Sequence, residues 1–544
     1  MSVSELVANV VDLEMRSIHP SKVVVESGRI VAIHASDQPC STFLLPGFVD
    51  AHVHIESSML TPGHFAQAAV VYGTVATVSD PHEIANVLGV PGVRFMLDDA
   101  EGIPFKFAFG APSCVPATVF ETAGAALSVE DVTWLLDEPT IYYLSEVMDF
   151  PGVLAGSPKL LAMIAAAKER GKPVDGHAPG LRGDHAQQYR DAGITTDHEC
   201  FTLEEAEDKL KAGMLIQIRE GSAAKNFEAL WPLIDRYPGR VMLCSDDKHP
   251  DELIKSHIDE LVRRAIAKGC DLYNVLTAAC QVPVQHYSLP VGQLKVGDPA
   301  DFIEVDSLSG FGVLRSFIDG QLVAEQGRSL IQATPAEPIN CFECTHQSPQ
   351  AFAVPCRLGA NLRVICAIDG QLITDELEME PTLSSGLAVA DPSRDLLKLV
   401  AVNRYDVDAE PAVAFVKGFG LKRGAIAGSV GHDSHNILAV GTNDQDLADA
   451  INSVIEHRGG LAVADEGRIK TLALEVGGLM SIRPCDEVAT DYEALCEMTD
   501  ELGTTLGSAF MTLSFMGLLV IPQLKLSDQG LFDFKQFGFV DIWV

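Results

Sequence analysis

Pro46-Gly47-Phe48-Val49-Asp50-Ala51-His52-Val53-His54 reads as an apolar strand that ends in two histidines one residue apart. On a strand, residues i and i+2 point to the same side, so His52 and His54 converge and could bind one metal ion. Taken alone, such a pair also fits two exposed strand histidines, because short motifs have many chance matches.

Working outward, further strand-like runs follow, most of them ending on or beside polar or titratable residues. Candidate strands end near His54, Ser79, Gly110, Val147, His177, His198, Arg219 and Asp246. Helix-like segments such as Ser157 to Arg170 and Leu203 to Ala212 lie between them. Strand and helix in alternation imply a parallel sheet, and eight such units imply an α/β fold of the (β/α)8 TIM-like barrel type. In such barrels the active site lies at the C-terminal ends of the strands, where these residues fall.

Two β-rich pieces flank the barrel. Val23 to Val25 and Ile30 to Ile33 read as a hairpin turning at Glu26-Ser27-Gly28-Arg29. Far downstream, Phe302 to Val305 reads as a strand, and Phe317-Ile318 and Leu322-Val323 pair across Asp319-Gly320. The expected organisation is a composite small β-sandwich domain from residues 1–45 plus 290–330, the barrel over 46–289, and a C-terminal α/β domain over 350–544. The third region shows strand-like Ala412 to Val416 and helix-like Asp446 to His457. The proline-rich stretch Gln332 to Pro355 reads as a linker.

Composition narrows the function. A formal net charge of -36 repels nucleic-acid backbones and anionic membranes, and it leaves a small neutral substrate compatible. The longest apolar stretch, near Ala509 to Ile521, is too short and mixed to span a bilayer. The 12 cysteines are too sparse for a disulfide scaffold, and the first residues carry no basic-then-apolar signal. A cytoplasmic, reducing compartment is expected. So is a symmetric homo-oligomer, the common state of large soluble enzymes.

The strand ends supply a ligand set. A carboxylate such as Glu146, ending the apolar run Ile141 to Ser145, is costly unless paired or ligated. His52, His54 and Asp246 could hold one ion, His177 and His198 a second, and Glu146 could bridge them. Mixed imidazole and carboxylate ligands suit manganese, iron or zinc. Two such divalent ions would acidify a shared water, and Asp246 could carry its proton to the leaving group. His82, Glu56 and Glu220 are candidate acids or substrate contacts.

Several motifs carry a resemblance to the adenine deaminases within the amidohydrolase superfamily. His52-Val53-His54-Ile55-Glu56-Ser57-Ser58 resembles that family's HxHIESS run, and Asp80-Pro81-His82-Glu83 its DPHE segment. Ala111 to Pro116, Gly176-His177-Ala178, Asp197-His198-Glu199, Arg219 to Ser222, Ser245-Asp246-Asp247 and Gly431 to Asn436 fit as well. The similarity runs nearly end to end. It implies hydrolytic deamination of adenine to hypoxanthine and ammonia at a two-metal centre, with manganese first among the metals and Glu146 as the bridging ligand. The same motifs offer Asp80, Ser113, Arg219, Ser222, His432 and His435 as substrate contacts. The Gly431 to Asn436 loop is expected to close over the barrel mouth.

Two other functions fit the scaffold: hydrolysis of another purine, cyclic amide or amidine, and metal-stabilised purine binding without catalysis. A zinc site at Cys341-Phe342-Glu343-Cys344 is set aside, because one CxxC lacks the four ligands of a structural site. His54-Ile55-Glu56 with that distant CxxC is likewise no match to the zinc cytidine-type deaminases.

Overall fold

The computed structural model describes residues 3–222, 224–334 and 337–544. Eight parallel strands form the central barrel. They are β1 (Phe48–Val53), β2 (Thr74–Ser79), β3 (Lys106–Ala111) and β4 (Ile141–Val147). β5 (Val174–Gly176), β6 (Thr196–Asp197), β7 (Leu215–Arg219) and β8 (Val241–Cys244) complete the ring. Parallel ladders join β1 through β5, with register shifts in the β1–β2, β3–β4 and β4–β5 pairs, and β6 through β8 without them.

Two seams close the ring by looser hydrogen bonding. Between β5 and β6, the Thr195 N–H and hydroxyl both donate to the Val174 carbonyl at 2.8 Å. Between β8 and β1, the Asp246 N–H donates to the His52 carbonyl at 2.9 Å, and the His54 N–H donates to the Asp246 carbonyl at 3.3 Å. The second seam therefore locks two of the histidine and carboxylate strand ends against each other. β1, β2 and β8 are buried along their length, as expected where helices cover the outside of a parallel barrel. The helices Pro158–Glu169 and Leu203–Ala212 stand where the sequence pattern places them.

The two flanking β-rich pieces meet in one eight-stranded sheet. Phe43–Pro46 is the junction: it runs parallel to Val3–Asp12 and antiparallel to Phe302–Val305. The two tight turns, at Ser27-Gly28 and Asp319-Gly320, each have positive φ at both central residues, the geometry favoured by right-twisted hairpins. They also abut. A Cβ on Gly28 would lie 2.9 Å from the Asp319 carbonyl oxygen, so glycine is required there by space as well as by φ.

The C-terminal region is built on a second eight-stranded sheet running from Thr374–Met379 to Arg468–Ala473. The helix Asp444–Glu456 buries Leu447, Ile451 and Val454 against one face of it. The expected linker behaves as chain packing from Ile339 onward. Phe342 and Phe352 are buried in the same apolar cluster as that helix, and the Glu343 N–H donates to the Arg404 carbonyl at 2.7 Å. Cys341 packs against the main apolar cluster and Cys344 against that of this helix, and His346 pairs with Glu456 at the surface.

The barrel and the C-terminal region are in direct contact. Helix Cys485–Glu501 packs beside Pro250–Leu253, and Tyr492 meets His249 Nδ1 at 2.7 Å through its hydroxyl. Among the described residues, no helix is long and apolar enough to cross a membrane.

Candidate metal centre

The C-terminal strand ends bring His52, His54, Glu146, His177, His198 and Asp246 into one buried cluster. Asp246 Oδ1 lies 3.4 Å from His52 Nε2 and 3.3 Å from His54 Nε2. Glu146 faces both sides of the cluster. Its Oε1 lies 3.5 Å from His54 Nε2, while its Oε2 lies 2.8 Å from His177 Nδ1 and 3.1 Å from His198 Nε2. The carboxylate thus stands between two groups of imidazoles.

The donor set fits divalent cations. Both ring nitrogens of His52, Nε2 of His177 and Nδ1 of His198 are buried without a hydrogen-bond partner. An unsatisfied buried polar atom costs free energy, and a coordinated cation would relieve it. His54 is oriented for this role: its Nδ1 lies 3.2 Å from the Asp80 carbonyl, which turns Nε2 toward the centre.

Around this core the other candidates divide. Asp80 and His82 join it. Asp80 Oδ2 lies 3.3 Å from His82 Nδ1, and that nitrogen lies 3.6 Å from Glu146 Oε1. Burial works against protonation of His82, but Asp80 and Asp433 outweigh it and raise its pKa well above the usual imidazole range. Arg219 lines the cavity while committed to carboxylates. It donates to Glu199 through both terminal nitrogens and to Asp246 Oδ2 at 2.5 Å. Burial would raise the Asp246 carboxyl, and the Arg219 guanidinium leads the contacts that hold it well below the usual range.

His432 and His435 reach the site from the C-terminal region. The Gly431 to Asn436 loop lies across the barrel mouth, with His432 Nδ1 2.7 Å and His435 Nε2 2.5 Å from the two oxygens of Glu83. Burial pushes Glu83 upward, but these two imidazoles hold it well below the usual carboxylate range. Asp433 Oδ1 approaches His82 Nε2 at 3.7 Å.

Four candidates are not brought to the cavity. Glu220 turns outward to pair with Arg264. Its neighbour Arg219 points in, and successive strand residues face opposite sides, so Glu220 points away. Ser222 is occupied by Glu252 at 2.9 Å and by the His249 N–H at 2.9 Å. Ser113 donates to the Glu146 carbonyl at 2.7 Å and so supports that residue's backbone from behind. Glu56 accepts the Ile84 N–H at 3.3 Å, and burial together with Glu83 pushes its carboxyl up to about 7.

Glu83, Glu199, Asp247 and Asp433 line the cavity without having been singled out in the sequence. Each stands directly beside a histidine or aspartate of a quoted motif, and that adjacency was the available signal. Ser57 of the Ile-Glu-Ser-Ser run explains part of its motif, donating to Asp247 Oδ1 at 2.5 Å.

Lys525 supports the cavity wall from behind. Its buried ammonium donates to the carbonyls of Leu372 at 2.7 Å and Phe515 at 2.9 Å, and both residues line the cavity. Phe515 in turn stacks on His432, ring centres 4.6 Å apart. With no carboxylate partner among these contacts, burial pushes the lysine from its ordinary 10.5 down to about 7. A basic group lowered on folding favours the neutral form, so its contribution is complete above the unfolded pKa and is lost as pH falls toward 7. Wild type should therefore gain stability over Lys525→Met between about pH 7 and pH 10, by at most about 1.4 kcal/mol per pH unit. Urea midpoints of the two proteins across that range check this; parallel curves would refute it.

Comparison with known proteins shows the family of the chain. Residues 43–323 match the amidohydrolase family, and residues 371–538 match the adenine deaminase C-terminal domain. The chain is 55% identical to the adenine deaminase of Salinibacter ruber, over 99% of each chain. It is 56% identical to that of a Sulfurovum species over 99% of each, and 49% identical to that of Methanosarcina mazei over 98% of each.

Proposed function

We propose that this chain, which belongs to the adenine deaminase family of the amidohydrolases, hydrolyses adenine to hypoxanthine and ammonia at a pair of divalent cations. The observation that carries the reading is the placement of Glu146, with one oxygen toward His54 and the other toward His177 and His198. His52, His54 and Asp246 would hold one cation, His177 and His198 the other, and Glu146 both. The mixed imidazole and carboxylate set suits manganese, iron or zinc, and manganese is our first choice on the resemblance to the adenine deaminases. When bound, the cations supply an acidified water and electrostatic stabilisation at the reacting carbon.

The residues around them divide the proton transfers. Addition of water oxygen to the amino-bearing ring carbon makes a tetrahedral centre and sends electron density to the adjacent ring nitrogen. His82, held cationic by Asp80 and Asp433, donates a proton to that nitrogen. Asp246 takes one proton from the attacking water; Arg219 keeps its carboxylate ionised and oriented for that step. The same carboxyl returns the proton to the amine as the carbon–nitrogen bond breaks, so nitrogen leaves as ammonia. The proton left on the new hydroxyl restores His82, and the products are hypoxanthine and ammonia.

All twelve cysteines stand free, which supports a reducing, cytoplasmic address. The test is direct. Protein stripped of metal and reconstituted with manganese should take up about two ions per chain and release equal amounts of hypoxanthine and ammonia from adenine. Full metal uptake with adenine untouched would sink the substrate assignment and turn the search to other amidines and cyclic amides.

A further inference from the structure

The metal-centre cavity is small and only partly enclosed. Its free volume is about 20 Å³, room for about one water molecule and for no ring system. A ring-sized substrate therefore needs side chains that line the cavity to move. A neighbouring cavity shares a wall with the site. It has a volume of about 260 Å³, and Met148 lines both spaces.

We propose that this second cavity is the access vestibule of the site, a holding subsite for a neutral planar purine, with Met148 as the gate. The proposal rests on the deaminase reading for the identity of its ligand. The walls are mostly apolar and aromatic. Pro116 and Ala117 come from the loop after β3, Met148 from the end of β4, and Val520, Phe534 and Phe537 from the C-terminal region. Phe537 is 47% exposed at the rim, and its ring meets Phe120 edge-on at 5.6 Å and Phe534 at 6.3 Å. Exposed aromatic faces of this kind stack on a nucleobase without needing a specific hydrogen bond.

The gate is suited to its place. Methionine is unbranched, with three rotatable side-chain bonds, so it can swing without moving backbone. Met148 is two residues beyond Glu146, and the vestibule residue Ser113 hydrogen-bonds the Glu146 carbonyl at 2.7 Å. A base leaving the vestibule past Met148 therefore arrives beside the bridging carboxylate.

A plug tests the route. Ala117→Trp should lower kcat/KM for adenine by about tenfold or more, with metal content unchanged and kcat at saturation affected less. Ala100→Trp, in the separate cavity between Arg94 and Phe107, should leave kcat/KM as in wild type. A second variant, Phe537→Trp, should show saturable quenching of its own emission by adenine, measured against the wild-type tryptophan background. Normal kcat/KM in Ala117→Trp, or an unquenched Phe537→Trp in an enzyme that turns adenine over, would overturn the vestibule while leaving the deaminase reading intact. Quenching in a protein that never releases hypoxanthine would support the vestibule and sink the deaminase reading instead.

Discussion

Glu146→Gln is expected to lose adenine turnover by about 10³-fold or more, and to retain fewer than two metal ions per chain. The substitution is nearly isosteric, so the buried position tolerates it sterically. It removes the charge and turns one oxygen into an amide nitrogen that cannot ligate. Whichever way the amide points, either the His54 side or the His177 and His198 side of the centre loses an acceptor. Metal analysis beside steady-state rates separates this from general damage: circular dichroism should be unchanged while stoichiometry and kcat fall together. A variant with two tightly held ions and wild-type kcat would remove Glu146 from the bridging place.

Arg219→Leu is expected to destabilise the fold by about 3–5 kcal/mol, because it strands buried carboxylates. Arg219 is 1% exposed and serves Glu199 and Asp246 at once, and both of those are as deeply buried. Leucine fills part of the volume but neutralises neither charge. Adding Glu199→Gln to the Arg219→Leu protein should recover part of the loss, since one uncompensated charge disappears; a double-mutant cycle on urea midpoints measures the coupling. Arg219→Lys should fall between, as it keeps charge without the planar two-pronged donor. A loss under about 1 kcal/mol in Arg219→Leu would place the pair among interactions of surface strength and refute its structural role.

Both substitutions act on residues that the sequence already marked as strand ends, which shows how far local pattern reaches. Most of the strand ends were legible because a parallel barrel strand is a short apolar run that stops at or beside a polar residue. The helices Pro158–Glu169 and Leu203–Ala212 were legible because helical spacing recurs between those runs. His52 and His54 share a face by the period of two alone. The hairpin turns at Ser27-Gly28 and Asp319-Gly320 were readable because few dipeptides accept positive φ twice.

What the residues could not state was direction once the strand had ended. Ser113 and Ser222 lie in loops after their strands, and the loop backbone turns them to the Glu146 carbonyl and to Glu252. Glu220 follows Arg219 and faces away to Arg264. The grip of Glu83 on His432 and His435 joins segments from the barrel and the C-terminal region. No local spacing encodes such a pair, because its members become neighbours only when the two packed bodies meet. By itself, then, the sequence determined the barrel, the two hairpins and the six residues converging at the strand ends, through backbone periodicity and the cost of burying polar groups. Tertiary structure alone decided which loop side chains face the cavity, how the mouth is closed and where a vestibule opens beside Met148, because these depend on contacts between distant segments.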